Sequence, residues 1–175
     1  MLNSSKLIIF AAPSGAGKSS LIKKIIEISE EKLELSVSAT TRLPRKGEIH
    51  GKDYLFISDN EFNELKDKDA FIECANVHGN QYGTLKSFVH EKLEEGISVI
   101  LDIDVQGFAQ IRETIEEMIS IFIIPPSLDE LENRLTSRGL DTNDAIQKRL
   151  HNAVEELKHA ESFDYIVLND KFDNA

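Results

Sequence analysis

Short runs of consecutive apolar residues alternate along this chain with longer stretches in which apolar positions return every three or four residues. Runs of the first kind, rich in β-branched side chains, suit strands covered on both faces. They predict strands at Leu7–Ala11, Ile97–Asp102, Ser120–Ile124 and Tyr165–Leu168, with a fifth at Leu35–Ser38. Stretches of the second kind read as amphipathic helices with marked starts. Ser127 and Glu130 form an S-x-x-E pattern ahead of Leu131 and Leu135. Ser58 and Glu61 repeat it ahead of Phe62 and Leu65, the signature of a capping box. Asp141 or Thr142 opens a longer helix whose apolar side is Ile146, Leu150, Ala153 and Leu157. Such alternation predicts an α/β fold, a parallel sheet flanked by crossover helices.

One stretch breaks the pattern. From about Ser38 to Phe88 the chain is denser in Arg, Gly and Tyr, with short strand-like pieces such as Tyr54-Leu55-Phe56-Ile57. It reads as a small α+β insertion over the edge of the sheet. No internal repeat or proline-rich linker divides the 175 residues, which suits one domain. With 41 % hydrophobic and 29 % charged residues, the balance is that of a soluble globular protein. A net charge of −11 argues against a nucleic-acid partner, which needs a basic surface, but not against a small anion held by a few local cations. Cys74 is the single cysteine, so no intrachain disulfide forms and a reducing, cytoplasmic compartment is expected. The apolar run Leu7–Ala12 is too short for a signal peptide and is broken at Pro13; no run approaches a membrane span.

The candidate chemistry begins where that first strand ends. Ala12-Pro13-Ser14-Gly15-Ala16-Gly17-Lys18-Ser19 follows a strand and precedes the helical pattern Leu21, Ile22, Ile25, Ile26. This is the context of a phosphate-binding loop. Gly15 and Gly17 let backbone N–H groups turn inward, the helix start adds positive potential, Lys18 reaches the β- and γ-phosphates, and Ser19 ligates Mg²⁺. The motif has glycine where this chain has Ala12, which fits if the backbone angle there is ordinary. Val99-Ile100-Leu101-Asp102 is an apolar strand ending in a carboxylate that can hold water on Mg²⁺, and Asp104 projects from the same side if the chain is still extended there. Either acid can instead cap a helix beginning near Val105.

Further motifs lie in the insertion and beyond it. Thr40-Thr41-Arg42-Leu43-Pro44-Arg45, Gly47-Glu48, Gly51-Lys52-Asp53-Tyr54, Phe71-Ile72-Glu73 and Gly79-Asn80-Gln81-Tyr82-Gly83-Thr84 are followed by Leu101-Asp102-Ile103-Asp104-Val105-Gln106-Gly107, Pro125-Pro126-Ser127, Arg134 to Gly139 and Lys148-Arg149-Leu150. In this order, from about Lys6 to Asp170, the chain resembles the guanylate kinases. The resemblance implies phosphoryl transfer from ATP to GMP, and to dGMP, with Mg²⁺ as cofactor. It implies one domain over 1–175, with core segments 1–35, 89–133 and 150–175, a GMP-binding insertion over 36–88 and a helical lid over 134–149. It places Arg42, Arg45, Tyr54 and Tyr82 around the GMP phosphate and Ser38, Glu73 and Thr84 at the guanine, with Asp104 joining them. ATP would meet the loop, Ser20 and Asn169; Ser19 and Asp102 would serve the metal; and Lys18, Arg42, Arg134, Arg138 and Arg149 would act on the transferred group. Guanine chemistry fits these residue types independently. A carboxylate accepts from N1–H and N2–H₂, hydroxyls donate to O6, and adenine presents the opposite pattern.

Two rivals stay open at this stage. A kinase acting on AMP, dTMP or a sugar phosphate could use the same loop, and guanylate-kinase-like domains without catalysis bind phosphorylated peptides. Oligomeric state, monomer or homodimer, is not legible. Two departures from the family pattern stand out: Asn169-Asp170-Lys171 carries lysine where a second acid is common, and the sequence ends at Ala175, where a final helix usually follows.

Overall fold

The computed structural model describes residues 5–77, 79–137 and 142–175. In chain order the elements are β1 (Leu7–Ala11), α1 (Lys18–Ile28), β2 (Leu33–Leu35), β3 (Ala39–Thr40), β4 (Leu55–Phe56), α2 (Asp59–Asp67), β5 (Phe71–Val77), β6 (Asn80–Leu85), α3 (Lys86–Glu94), β7 (Ser98–Asp102), α4 (Val105–Thr114), β8 (Ile119–Ile124), α5 (Leu128–Ser137), α6 (Asn143–Leu157) and β9 (Tyr165–Leu168). Strands and helices alternate as the hydrophobic pattern predicts, and the parallel strands of an α/β fold are present. The expected lid residues Arg138 and Gly139, and Asp141 as a helix start, lie outside the described residues. Contacts divide the chain into two compact units: Met1–Leu7, Glu31–Leu101 and Gln106–Met118 form one, and Ile8–Glu30, Asp102–Val105 and Ile119–Ala175 the other.

In the first unit β2 runs parallel to β7, with Leu33 opposite Ser98 and Leu35 opposite Ile100. The strand expected at Leu35–Ser38 therefore lies earlier. Ser36 N–H still donates to the Ile100 carbonyl at 2.9 Å, but the chain then leaves this pairing and enters a second, four-stranded sheet ordered β4-β3-β6-β5. Glu34 disguised the true strand as polar. In the second sheet β3 is parallel to β4 and antiparallel to β6, and β5 is antiparallel to β6. Register sets Glu73 opposite Thr84 and Cys74 opposite Gly83. Gly83 is required by space: a Cβ there would stand 2.8 Å from the Phe71 ring and 3.1 Å from the Glu73 carbonyl. The sheet packs on α2 through Phe62 and Phe71, whose rings stack at 4.5 Å, with Ala39, Leu55 and Leu85 around them. Both halves of the predicted capping box start α2, Ser58 Oγ accepting from Glu61 N–H and Ser58 N–H donating to the Glu61 carboxylate.

The second unit holds the parallel set β1–β8–β9, Ile9 opposite Ser120 and Phe122 opposite Ile166. Phe122 and Ile123 are fully buried, and α5 packs on α6 through Leu131, Leu135, Ile146 and Ala153. Thr142 caps α6 by accepting from Ala145 N–H. Ser127 accepts from Glu130 N–H at 3.1 Å, yet the second half of that predicted box is missing. The Glu130 carboxylate pairs instead with Arg134 at 2.8 Å, a charged partner one turn on. Nor is β9 covered on both faces. Among the described residues it pairs with β8 alone, and Tyr165, Ile166 and Leu168 are exposed. Among the described residues no helix is long and apolar enough to cross a membrane.

Leu135 is fully buried and lies where a side chain on Gly15 would strike it, at 2.9 Å. Leu135→Ala is therefore expected to cost about 3 kcal/mol. In urea unfolding the midpoint should fall while the slope stays unchanged.

Candidate active site

The loop between β1 and α1 is built by backbone geometry. Gly15 and Gly17 have φ of +97° and +93°, where a side chain is strained. Ala12 is not among the positive-φ residues, so its methyl group meets no penalty. Ala16 N–H bonds to the Pro13 carbonyl at 3.0 Å. Gly17 caps α1, whose first turn carries no acidic side chain, leaving its N–H dipoles open to an anion. Lys18 Nζ pairs with Asp102 Oδ1 at 2.5 Å and donates to the Ile103 carbonyl at 2.9 Å. Ser19 Oγ donates to Asp102 Oδ2 at 3.1 Å. One carboxylate at the end of β7 thus gathers the lysine and the hydroxyl. Ser20 is exposed on the same turn.

The loop is buttressed by later elements of the same unit. Asn169, buried just after β9, donates from Nδ2 to the Ala16 carbonyl at 2.7 Å. Its own carbonyl accepts from Arg134 Nη2 at 3.0 Å, while Arg134 Nε holds Glu130. Asn169 therefore meets the loop's backbone, and Arg134 meets Asn169. Arg149 on α6 donates from Nη1 to Ser14 Oγ at 3.0 Å. Seven residues on, two helical turns along the same face, the Glu156 carboxyl is hydrogen-bonded by the Ser14 backbone N–H. Burial and then the nearby Asp104 carboxylate push the Glu156 carboxyl up to about 6, against the opposing pull of Lys18 and the Ser14 bond.

The first unit brings the acceptor candidates into two groups. Arg42 Nε donates to the Tyr82 hydroxyl at 3.2 Å, and its guanidinium lies over the Tyr54 ring, 5.4 Å from the centroid. Tyr54 meets Tyr82 edge-on at 5.9 Å. Glu48 grips Arg42 with both oxygens, at 3.0 and 2.9 Å, and accepts from Arg45 N–H at 2.6 Å. The hydrogen bond from Arg42 holds the Glu48 carboxyl below the ordinary carboxylate range and raises Arg42 in turn. Arg45 is tied by its backbone only; its side chain is exposed.

Ser38, Thr84 and Glu73 make the second group. Thr84 Oγ1 donates to Glu73 Oε1 at 2.7 Å, and Ser38 Oγ lies 3.2 Å from Thr84 Oγ1. Thr84 has one hydroxyl proton and gives it to Glu73, so Ser38 is the donor in that second bond. The hydroxyl protons thus run toward a carboxyl group that is only 5 % exposed. A groove of about 640 Å³ along β5 touches Glu73, Cys74 and Gln110, but Ser38, Arg42, Tyr82 and Thr84 do not line it. It is therefore not the concavity that the acceptor candidates share.

Three partners had no role in the sequence reading. Glu48 could have been found, as the only acid between Arg42 and Lys52. Glu156 is signalled by its helical spacing from Arg149. Gln110, which bonds the Cys74 backbone through both N–H and C=O at 3.0 and 2.8 Å, leaves no trace in the pattern.

Comparison with known proteins gives the family. The family described as guanylate kinase matches residues 4–175. The guanylate kinase of Caldanaerobacter subterraneus subsp. tengcongensis is 47 % identical over 169 residues, covering 97 % of this chain and 82 % of the relative. That of Escherichia coli K12 is 48 % identical over 170 residues, with the same coverage. A crystal structure of guanylate kinase from Anaplasma phagocytophilum superposes with a TM-score of 0.79 at 33 % identity, covering 97 % of this chain and 79 % of that one. A family match over residues 4–175, with relatives 47 and 48 % identical along nearly the whole chain, means that the chain belongs to the guanylate kinase family.

Proposed function

We propose that this protein transfers the terminal phosphoryl group of ATP to GMP, and to dGMP, giving ADP and the nucleoside diphosphate inside the cytoplasm. The observation that carries the reading is the family match over residues 4–175, with the intact Gly17-Lys18-Ser19 loop and the buried Glu73 both present. In this reading 36–88 is the acceptor-binding insertion and 134–149, with Arg138, the lid.

GMP's phosphate is already ionised near neutral pH, so the nucleophile needs position rather than a general base. Arg45 and Arg42 with Tyr54 and Tyr82 hold that phosphate. The Glu73 carboxylate takes guanine N1–H and the 2-amino group while Thr84 keeps donating to it, and Ser38 turns its hydroxyl to O6. Adenine would leave Glu73 without a donor, a loss large enough to reject it. On the donor side the loop N–H groups and Lys18 cradle the β- and γ-phosphates, Asn169 keeps the loop closed, and Arg134 and Arg149 bring positive charge to the transferred group. Asp104 stands near the carboxyl of Glu156 and is the further candidate for the guanine. Ser19 and Asp102 offer hard oxygen donors 3.1 Å apart, a set that suits Mg²⁺. When bound there, the metal would neutralise charge on the phosphates.

A coupled ADP-release assay with ATP–Mg²⁺ against GMP, dGMP, AMP, CMP and dTMP tests the reading. Turnover with GMP and dGMP alone is expected, and preferential turnover of AMP or dTMP would overturn it. Lys18→Ala should lower kcat by about a thousandfold. Glu73→Gln should raise the GMP KM by about tenfold or more, leaving the ATP KM unchanged. The pH dependence follows from Glu156. A carboxyl raised in the fold favours the folded state while protonated, a contribution complete below its ordinary value and lost as pH rises through the folded one. Its window is 4.5 to about 6. Glu156→Gln, neutral throughout, should gain thermal stability relative to the parent across that window and hold the gain above it.

A further inference from the structure

We infer that Gly107 and Gln110 on α4 form the seat that sets the position of the Glu73 carboxyl group, and that they thereby determine selection of guanine at the acceptor site. The inference rests on the assignment of Glu73 to the guanine edge and deepens it.

Gly107 lies within helix α4 and is buried. It is not among the glycines with positive φ, so no backbone angle demands glycine there. Helix propensity argues against it, since alanine is the better helix former. What requires glycine is space. A Cβ at this position would stand 2.7 Å from Glu73 Oε2, 3.2 Å from Cδ and 3.4 Å from Cγ. All three atoms belong to the same carboxyl-bearing arm, so its end lodges in the gap that the missing methyl group leaves on the helix.

The arm has little room to retreat. Glu73 is 5 % exposed, and its other oxygen takes the Thr84 hydroxyl at 2.7 Å. Moving Oε2 away from a new methyl group rotates or withdraws the carboxyl, and that breaks or lengthens the Thr84 bond. Ser38, which donates to Thr84, would shift with it. A displacement of a few tenths of an ångström is enough to spoil a paired contact in which two oxygens must face two donors at once.

Gln110, three residues along the same helix, fixes the backbone beneath. Its Nε2 donates to the Cys74 carbonyl at 2.8 Å and its Oε1 accepts from Cys74 N–H at 3.0 Å. Cys74 adjoins Glu73 on β5, the outer strand of its sheet. The side-chain amide thus serves β5 as a neighbouring strand would, just past the register irregularity between Phe71 and Glu73. One helix face sets the height of the strand through Gln110 and the reach of the carboxyl through Gly107.

The test compares the parent with Gly107→Ala, Gln110→Ala and Glu73→Gln. For each, kcat/KM is measured with GMP and with inosine monophosphate, which keeps N1–H and O6 but lacks the 2-amino group. The ATP KM and the melting temperature are measured alongside. Gly107→Ala should lower the GMP-to-inosine-monophosphate preference by about tenfold with the ATP KM held within about twofold. Its melting temperature should fall by a few degrees at most, the strain of the new methyl group being set against the better helix propensity of alanine. Gln110→Ala should lower the same preference by about threefold. Should Gly107→Ala melt early, the Gln110→Ala preference decides. An unchanged preference in both α4 variants, with Glu73→Gln losing it, overturns the seat while leaving the guanine assignment intact. An unchanged preference in Glu73→Gln removes the guanine assignment and the seat together.

Discussion

A carboxyl group withdrawn from water needs partners arranged around it before the fold can tolerate it. Glu73 meets that constraint with local structure on every side. The antiparallel register of β5 and β6 puts Thr84 directly across from it, Gly83 lets the strands approach, and Gly107 opens the face of α4. None of these features would be needed around a leucine. The four-stranded sheet, with its stacked Phe62 and Phe71, is the frame on which this polar arrangement is held.

Charge is handled in the same manner. The chain is strongly acidic overall, yet three of its candidate phosphate-binding cations hold an acid of their own: Lys18 has Asp102, Arg42 has Glu48, and Arg134 has Glu130. Such pairing fixes each cation's direction and lowers its self-repulsion with neighbours. It also means that an arriving phosphate shares the cation rather than meeting a bare charge. Arg45 is different. Its backbone N–H and carbonyl both bond to Glu48, and its exposed guanidinium adds charge where Arg42 adds geometry.

The elements governed by short-range rules were legible in the sequence. The strand at Leu7–Ala11, the Ser58 capping box and the glycines of the phosphate loop follow from periodicity, capping and φ, all of which are local. Where two local rules competed, the reading failed, as at Ser127, where Glu130 chose Arg134 over the backbone. Long-range pairing was less visible. The strand at Leu33–Leu35 was misplaced because its partner β7 lies more than sixty residues away, and nothing nearby marks the edge. In the site, residue types and order gave the candidate list. The sequence could not show that Asn169 holds the loop through Ala16, or that Gln110 stands in for a strand, because both depend on contacts between distant segments.

The central claim is that Glu73 is the group that chooses the purine. A crystal structure of the protein with GMP bound tests it most directly. The account predicts guanine N1 and the 2-amino nitrogen each at about 3 Å from the Glu73 carboxylate oxygens, with the phosphate against Arg42 and Arg45. GMP bound with its base turned away from Glu73, or seated elsewhere on the protein, would contradict it.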